Sequence, residues 1–347
     1  MIFLRWLLIP FSLIYGLVTA IRNWCYDRGI FKSTGFDMPL IVVGNLDVGG
    51  AGKSPMTEYL IRLLKDNYKI ATLSRGYGRI TEGFLLASGE SKASDIGDEP
   101  AQFKHKFPDL DVAVCEKRVN GVEQLKDDHD VIILDDAYQH RALEPGMSIL
   151  LFDYSRVNEP HFLLPAGNLR EPFGGRKRAD VIIISKCPAS LTDLEQGRVI
   201  KRIKPYPHQS LFFTTIKYVP AQTMNGSGVT DTIDDQTTVF LLTGIANPKP
   251  LLAYLKKQTP LIVHHNYPDH HRFSLKNITK LADEFLACAS QKKVIITTEK
   301  DAQRLGEQDL LPMVKKLPIL VLPIGISFLN NGQQQFDELV QTYVRQY

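Results

Sequence analysis

Gly44-Asn45-Leu46-Asp47-Val48-Gly49-Gly50-Ala51-Gly52-Lys53-Ser54 is the stretch on which the reading of this chain turns. An apolar run at 40–43 directly precedes it, so a buried strand feeds a glycine-rich loop that ends in Gly-Lys-Ser at the start of a helix. That order aims several backbone N–H groups, the positive helix end and one lysine at the phosphates of a nucleotide. Gly49, Gly50, Ala51, Gly52, Lys53 and Ser54 are therefore the candidate phosphate-binding residues, with the Ser54 hydroxyl placed for Mg²⁺. The spacing is irregular. The usual pattern has its first glycine where this chain has Asp47, and it offers Gly49 and Gly50 instead. A glycine-rich turn that binds nothing is the alternative. The coincidence of strand, glycines, Lys-Ser and an apolar helical pattern at 56–64 argues against it.

Outward from the loop, short apolar runs at 69–73, 112–114, 131–134, 148–152 and 181–184 read as buried parallel strands between helical stretches. This predicts an α/β, P-loop NTPase-like domain with a doubly wound, mainly parallel sheet, whose ligands sit at the strand C-termini. A β-like stretch at 210–218 and a polar segment at 225–236 mark a change of pattern. A second, smaller α/β domain follows, with strands at 238–242, 261–264, 294–297 and 319–323 and helices at 250–256, 275–289 and 336–347. The expected division is an apolar N-terminal helix at 1–28, a P-loop core at 29–208, a short β linker at 209–236 and a second domain at 237–347. The last helix is free to pack back on the core.

The composition agrees with two folded domains: 347 residues, 44% hydrophobic and 23% charged. A net charge of only +3 argues against nucleic acid as a partner. Cys25, Cys115, Cys187 and Cys288 form no C-x-x-C pair, so neither a zinc site nor a disulfide framework is expected and a reducing compartment fits. The basic excess sits at the N-terminus, where Arg5, Arg22, Arg28 and Lys32 face a single Asp27. Between Arg5 and Arg22 lies an uncharged, mostly apolar run of sixteen residues, shorter than the ~20 that span a bilayer as a helix. A signal peptide, a buried core helix and a monotopic anchor all fit this run. The anchor is favoured, because an ATP-dependent loop has no use outside the cytosol and the trailing segment stays basic and aromatic (Trp24, Tyr26, Phe31).

Several clusters carry possible chemistry. Asp135-Asp136 closes an apolar run, the pattern in which a strand-tip carboxylate meets Mg²⁺; neighbouring strand residues face opposite ways, so one of the two points at the metal. Gly97-Asp98-Glu99-Pro100 sets two carboxylates before a helix, where Asp98 is either a cap or a base near the phosphates. Ser74-Arg75-Gly76-Tyr77-Gly78-Arg79 puts arginines on a strand-end turn that either reaches phosphate or is merely solvated. The loop at 165–172, with Arg170 and Glu171, and the run Arg176-Lys177-Arg178 offer fixed cations or a solvated charge run. Of His264, His265, His270 and His271, one serving in acid–base chemistry is preferred to a metal cluster, since no zinc-type spacing is present. Thr297-Thr298-Glu299-Lys300-Asp301 is either a functional tip or a helix cap.

Taken together, these stretches resemble one family, the tetraacyldisaccharide 4′-kinases, the lipid A kinases of Gram-negative bacteria. The matching segments are 44–55, 74–79, 97–100, 134–140 (Leu-Asp-Asp-Ala-Tyr-Gln-His), 164–172, 243–248, 268–271 and 297–301, in family order. Ala137-Tyr138 departs from the Gly-Phe more usual there. The resemblance implies ATP- and Mg²⁺-dependent phosphorylation of the 4′-hydroxyl of an acylated glucosamine disaccharide 1-phosphate. It further implies a peripheral, monotopic protein, expected as a monomer, on the cytoplasmic face of the inner membrane. Carried onto matching positions, Lys53 and Ser54 belong to the phosphate loop and Asp98 is the catalytic carboxylate, paired with His270. Asp136 and Glu171 lie around Mg²⁺ and the phosphates. Asp135, Gln139 and His140 support that corner, with Arg75, Glu99 and Arg170 as further substrate or support residues. The rival reading is a deviant P-loop ATPase or GTPase switch at the membrane, whose loop usually carries a lysine where this chain has Val48.

Overall fold

The computed structural model of the chain describes residues 7–224, 233–307 and 309–347. Helix α1 (Ile9–Asp27) leads into β1 (Leu40–Asn45), α2 (Lys53–Leu64), β2 (Ile70–Ser74), β3 (Leu85–Leu86), α3 (Ala93–Ile96), α4 (Asp98–Lys106) and β4 (Asp111–Val114). Then come α5 (Arg118–Leu125), β5 (Val131–Asp135), β6 (Met147–Asp153), β7 (Val181–Ser185), α6 (Asp193–Ile203) and β8 (Ser210–Tyr218). A second group holds β9 (Gln222–Thr223), β10 (Thr238–Thr243), α7 (Lys249–Leu255), β11 (Ile262–Asn266), α8 (Leu275–Ala287), β12 (Lys293–Thr298), α9 (Glu299–Leu305), α10 (Leu311–Val314) and β13 (Ile319–Leu322). The last described elements are β14 (Ile324–Phe328) and α11 (Gly332–Val344).

The large sheet has nine strands in the order β14-β8-β7-β6-β1-β5-β2-β4-β3, parallel except for β3 and β14. Successive residues of its strands feed opposite cores. Ile41, Val43, Ile133 and Ile149 pack with Met56 and Leu60 of α2, whereas Leu40, Val42, Ile132 and Leu150 pack on the other face. Burial on both faces is why these strands read as continuous apolar runs. Strand β1 lies between β5 and β6, where the strand order reverses, so the loop after it opens into the crevice that such sheets offer to ligands.

The second sheet, β11-β10-β12-β13-β9, is parallel but for β9 and has cores of its own on both faces. The domain limits differ from the expected ones. Strand β8, placed in the linker, is a full member of the large sheet beside β7. The chain also returns: β14 pairs antiparallel with β8, and α11 buries Phe336, Val340, Tyr343 and Val344 in the core that holds Met56 and Leu60. The second unit is thus an insert between β8 and β14, not a C-terminal domain reaching 347. Tyr59 of α2 donates to Asp337 at 2.7 Å and Leu40 N–H donates to the Tyr343 hydroxyl at 3.0 Å, so α11 braces the strand and helix around the phosphate loop. The polar segment at 225–236 falls largely on 225–232, outside the described residues.

Helix α1 is built inside out relative to a core helix. Its buried residues are Ser12 and Thr19, while Phe11, Leu13, Ile14, Leu17, Val18, Ile21 and Trp24 are exposed. Polar side chains hold it to the core: Ser12 donates to Leu163 O at 3.0 Å and Tyr15 to Arg170 O at 2.6 Å. At Gly16 a Cβ would come within 2.7 Å of the Leu163 side chain. The buried-core reading of this segment is therefore wrong. No described helix is long and apolar enough to cross a membrane.

Candidate active site

The loop after β1 takes its shape from two glycines at positive φ, Gly49 (+104°) and Gly52 (+87°), which a side chain would strain. Around it the core supplies straps. Ser185 donates to Ala51 O at 2.7 Å, Arg156 to Val48 O at 2.8 Å, and Lys186 to Gly50 O while also pairing with Asp153 at 2.7 Å. The Asn45 amide donates to Asp47 O at 2.7 Å, and its oxygen accepts from Lys53 at 3.1 Å. No hydrogen bond among the described residues engages the backbone N–H groups of Gly49, Gly50, Gly52, Lys53 and Ser54. Those uncommitted donors at a helix N-terminus, with one lysine beside them, suit an anionic ligand.

At the tip of β5 the two aspartates part as the strand geometry requires. Asp135 is buried and accepts from Thr57 at 3.0 Å; burial, opposed by Lys53, pushes its carboxyl up to about 6. Asp136 turns at a positive φ of 49°, a conformation aspartate tolerates better than most residues, and lies between Lys53 (3.5 Å) and Arg170. One Arg170 nitrogen reaches both Asp136 oxygens, at 2.9 and 3.0 Å. Burial alone would raise Asp136, but these two cations hold it below its ordinary range. The Ser54 hydroxyl and the Asp136 carboxylate are hard-oxygen groups of the kind Mg²⁺ takes. Among the described residues no cluster of three or more histidine, cysteine, aspartate or glutamate ligands exists. Any ion here would draw on few protein ligands, as Mg²⁺ does at nucleotide phosphates.

Glu171 departs from its expected role. It is fully buried, both its oxygens accept from Arg178 at 2.9 Å, and Asn23 of α1 and Gln139 each donate to it at 3.0 Å. A carboxylate so enclosed has no open side for a metal. Gln139 also donates to Asn45 O at 2.9 Å, so Glu171 and Gln139 together tie α1 to the end of β1. Tyr138, at the position that departs from the family pattern, buries its ring and donates to Gly175 O at 2.8 Å, so its added hydroxyl is satisfied.

Across the crevice stands Asp98, the first residue of α4, with no capping bond from its side chain. Its position depends on backbone packed against backbone. Gly97 has a φ of +94°, and a Cβ there would meet Gly76 at 3.1 Å, so the turn after β2 and the start of α4 are in direct contact. The second unit reaches Asp98 from the other side. His270 Nδ1 lies 2.9 Å from Asp98 Oδ2, and Arg304 of α9 donates to that same oxygen through Nε at 3.0 Å and Nη2 at 2.6 Å. An ionised carboxylate only accepts, so Nδ1 carries the imidazole proton. Burial would raise Asp98, but His270 and Arg304 bring it down to about 2. His270 in turn is raised, chiefly by its bond to Asp98. No hydrogen bond among the described residues reaches Asp98 Oδ1, which is left for another partner.

Arg304 carries no motif and was not expected here; it is fixed by Asp301 (3.0 Å) and Gly244 O (2.9 Å). The segment at 297–301 proves to be both cap and contact. Thr298 caps α9 by accepting from Asp301 N–H at 3.1 Å, while Lys300 reaches Glu99 at 2.5 Å and Glu299 reaches Lys106 at 2.6 Å. The other histidines are dispersed. His264 bonds Thr243 at 2.8 Å, His265 lies 3.2 Å from Glu284 and His271 bonds Asn277 at 3.1 Å. His140 stands apart, driven down to about 4 by burial and then by Arg118, Arg75 and Arg22.

With this geometry in place, comparison with known proteins is direct. The model of the tetraacyldisaccharide-1-P 4′-kinase family matches residues 4–345. A tetraacyldisaccharide 4′-kinase of Flavobacterium johnsoniae is 43% identical over 99% of this chain and 98% of its own length. One from Bacteroides thetaiotaomicron is 42% identical over 99% and 93%. Among solved structures, LpxK from Aquifex aeolicus, crystallised in complex with ATP, superposes with a TM-score of 0.75 at 27% identity, covering 98% of this chain and 99% of that one.

Proposed function

The chain belongs to the tetraacyldisaccharide 4′-kinase family, and from that premise we propose how its residues share the work of the reaction. The reaction is ATP-dependent phosphorylation of the 4′-hydroxyl of tetraacyldisaccharide 1-phosphate, the step of lipid A biosynthesis that forms lipid IVA. The loop N–H groups of Gly49, Gly50, Gly52, Lys53 and Ser54 and the Lys53 ammonium bind the donor phosphates. Mg²⁺ bound with the nucleotide would neutralise phosphate charge, and Ser54 and Asp136 would hold it, with Asp135 fixed behind them by Thr57. Arg170 fixes Asp136, and Glu171 with Gln139 steadies the end of β1 from behind.

A sugar hydroxyl is a weak nucleophile, so transfer depends on positioning and on a group to take its proton. Asp98 Oδ1 serves as that base. The hydroxyl oxygen forms its bond to the γ-phosphorus as the bond to the bridging oxygen breaks, and its proton passes to Asp98. With Oδ2 held by His270 and Arg304, the carboxylate cannot rotate away. The observation that carries this reading is the 2.9 Å contact between Asp98 of the large domain and His270 of the insert. All groups named come from one chain, which supports a monomer as the working unit.

The exposed apolar face of α1 supports a peripheral, monotopic association in which that face enters the bilayer interface on the cytoplasmic side, where the acylated substrate resides. The deciding experiment supplies the protein with γ-labelled ATP and a detergent-solubilised acyl-disaccharide phosphate. Label in the lipid is expected. Label released only as free phosphate would instead support the nucleotide switch, and no turnover of either kind would defeat both readings.

A further inference from the structure

Helix α4 carries Asp98 at its first residue and a largely enclosed ion cluster at its last, Lys106. The Lys106 ammonium lies 2.5 Å from Glu58 of α2 and 2.6 Å from Glu299, the first residue of α9 in the insert. Glu58 is only 4% exposed and also accepts from Gln102, in the middle of α4, at 2.7 Å. The second Glu299 oxygen accepts from Ile324 N–H at 3.1 Å, where the chain re-enters the large sheet as β14. One ammonium therefore joins three parts of the fold: the helix that starts at Lys53 and Ser54, the helix that starts at Asp98, and the insert.

Stability alone does not account for this cluster. Two carboxylates share one cation, and a buried ion pair seldom offsets the hydration it loses. Burial, then Glu299, outweighs Lys106 and pushes the Glu58 carboxyl up to about 7. Around these groups, Arg62 lies over the Phe107 ring at 4.8 Å, Tyr59 donates to Asp337, and His105 is exposed. Gln102 Oε1 is buried without a partner among the described residues, a further cost. The arrangement does fix geometry. His270, Arg304 and Lys300 tie the first turn of α4 to the insert, whereas Lys106 and Gln102 tie the rest of that helix to α2. A phosphate held at the start of α2 and a base at the start of α4 must face each other in line, so the angle between these helices matters to the reaction.

We propose that Glu58, Lys106 and Glu299 are positioning residues for phosphoryl transfer that act through Asp98. They set α4 against α2, and so the line along which the acceptor hydroxyl approaches the donor phosphate. The proposal rests on the reading of Asp98 as the base. Helix α4 has nine residues and is ~13 Å long at ~1.5 Å per residue, short enough to move as a rod. A shift at Lys106 therefore reaches Asp98, and a misplacement of ~1 Å is enough to cost ~10²-fold in rate.

The test uses the full chain with labelled ATP and the acyl-disaccharide phosphate in detergent micelles. Lys106→Met is expected to lower kcat at least tenfold, with KM for ATP and for the acceptor within twofold of wild type. Lys106→Arg, which keeps the charge, should recover to within threefold. In an Asp98→Ala background, Lys106→Met should cost less than a further twofold, because its effect passes through the base. Glu58→Gln is the variant that leaves no cavity and keeps an acceptor for Gln102. At pH 8.5, where Glu58 is ionised, this variant should raise Tm by at least 2 °C yet lower kcat at least threefold. At pH 6, where Glu58 is protonated, both differences should vanish. A Lys106→Met enzyme with kcat within twofold of wild type would overturn the proposal, as would losses that multiply with that of Asp98→Ala. So would a Glu58→Gln variant whose kcat ratio to wild type is the same at both pH values, a result that decides the matter even if Lys106→Met fails to fold. Failure of the base reading looks different: Asp98→Ala alone would then turn over like wild type.

Discussion

Asp135→Asn should make the ligand-free protein more stable and less useful. The carboxyl is 4% exposed and burial pushes it up to about 6 from an ordinary 3.8. A gap of about two units at ~1.4 kcal/mol each places the cost of keeping it ionised near 3 kcal/mol. The sign follows from which state ionises first. Below pH ~4 both folded and unfolded chains are protonated there and the residue is neutral in its effect. Between about 4 and 6 the unfolded chain loses its proton first, so stability falls as pH rises, and above 6 the whole penalty is present. Asparagine imitates the protonated acid and keeps an oxygen for Thr57, which donates at 3.0 Å. The variant should therefore match wild type at pH 4 and exceed it by up to about 3 kcal/mol at pH 7.5. At ~2–4 °C per kcal/mol this is roughly 6–12 °C in Tm, read by calorimetry without nucleotide. Phosphoryl transfer should fall, as stability bought at an active site usually requires. A stability difference that does not change with pH, or an asparagine variant that melts earlier at pH 7.5, would refute the reasoning.

Other outcomes follow from the same geometry. Lys53→Ala should reduce kcat/KM by ~10²–10³, the loss typical of a fixed charge on a developing anion, with an unchanged circular dichroism spectrum; activity within threefold of wild type would exclude the assigned role. His270→Ala should lower kcat by ~10²-fold or more, and intact turnover at saturating substrate would sink the dyad. The same variant should lose a pH-dependent share of the contact between the units. Because His270 is raised above 6.5, its ion pair with Asp98 is complete below that pH and fades as pH climbs through the folded value. Replacing Leu13 and Leu17 with serine should weaken flotation with lipid vesicles by ~100-fold, at ~1.5 kcal/mol for each exposed side chain, while leaving Tm unchanged; unaltered flotation would remove α1 from the interface.

What could be read in the chain was what is encoded locally. The loop at 44–54 and the apolar strands carry their structure in neighbouring residues, and the parallel sheet, the helix after Lys53 and the split of Asp135 from Asp136 all follow from short-range pattern. The features that escaped depend on contacts far apart in sequence. Arg304 is a single arginine on a seven-residue helix, and only the fold brings it to Asp98, 206 residues away. Glu171 was placed near Mg²⁺ by the family resemblance alone, yet Arg178 and α1 enclose it. Strand β14 is the short sequence Ile324-Gly325-Ile326-Ser327-Phe328, directly after β13, and nothing local says that it leaves one sheet to join another. In α1 the apolar pattern was plain, but its outward direction was set by Ser12, Tyr15 and Thr19, polar residues that read as interruptions of it.

The insertion of the second unit between β8 and β14 separates two capacities along the chain. The strands are antiparallel neighbours, with Tyr218 opposite Ile324, so the points of departure and return lie one strand spacing, ~4.8 Å, apart. A two-residue turn closes such a gap. Everything proposed to cradle a nucleotide phosphate lies on one side of that seam, and His270, Lys300 and Arg304, which contact Asp98 and Glu99, lie on the other. A simple hairpin at this place would leave a sheet with its phosphate loop intact and Asp98 untethered. On the proposed roles, donor binding and the tethering of the acceptor's base are thus divided between two units joined at the tip of one ribbon.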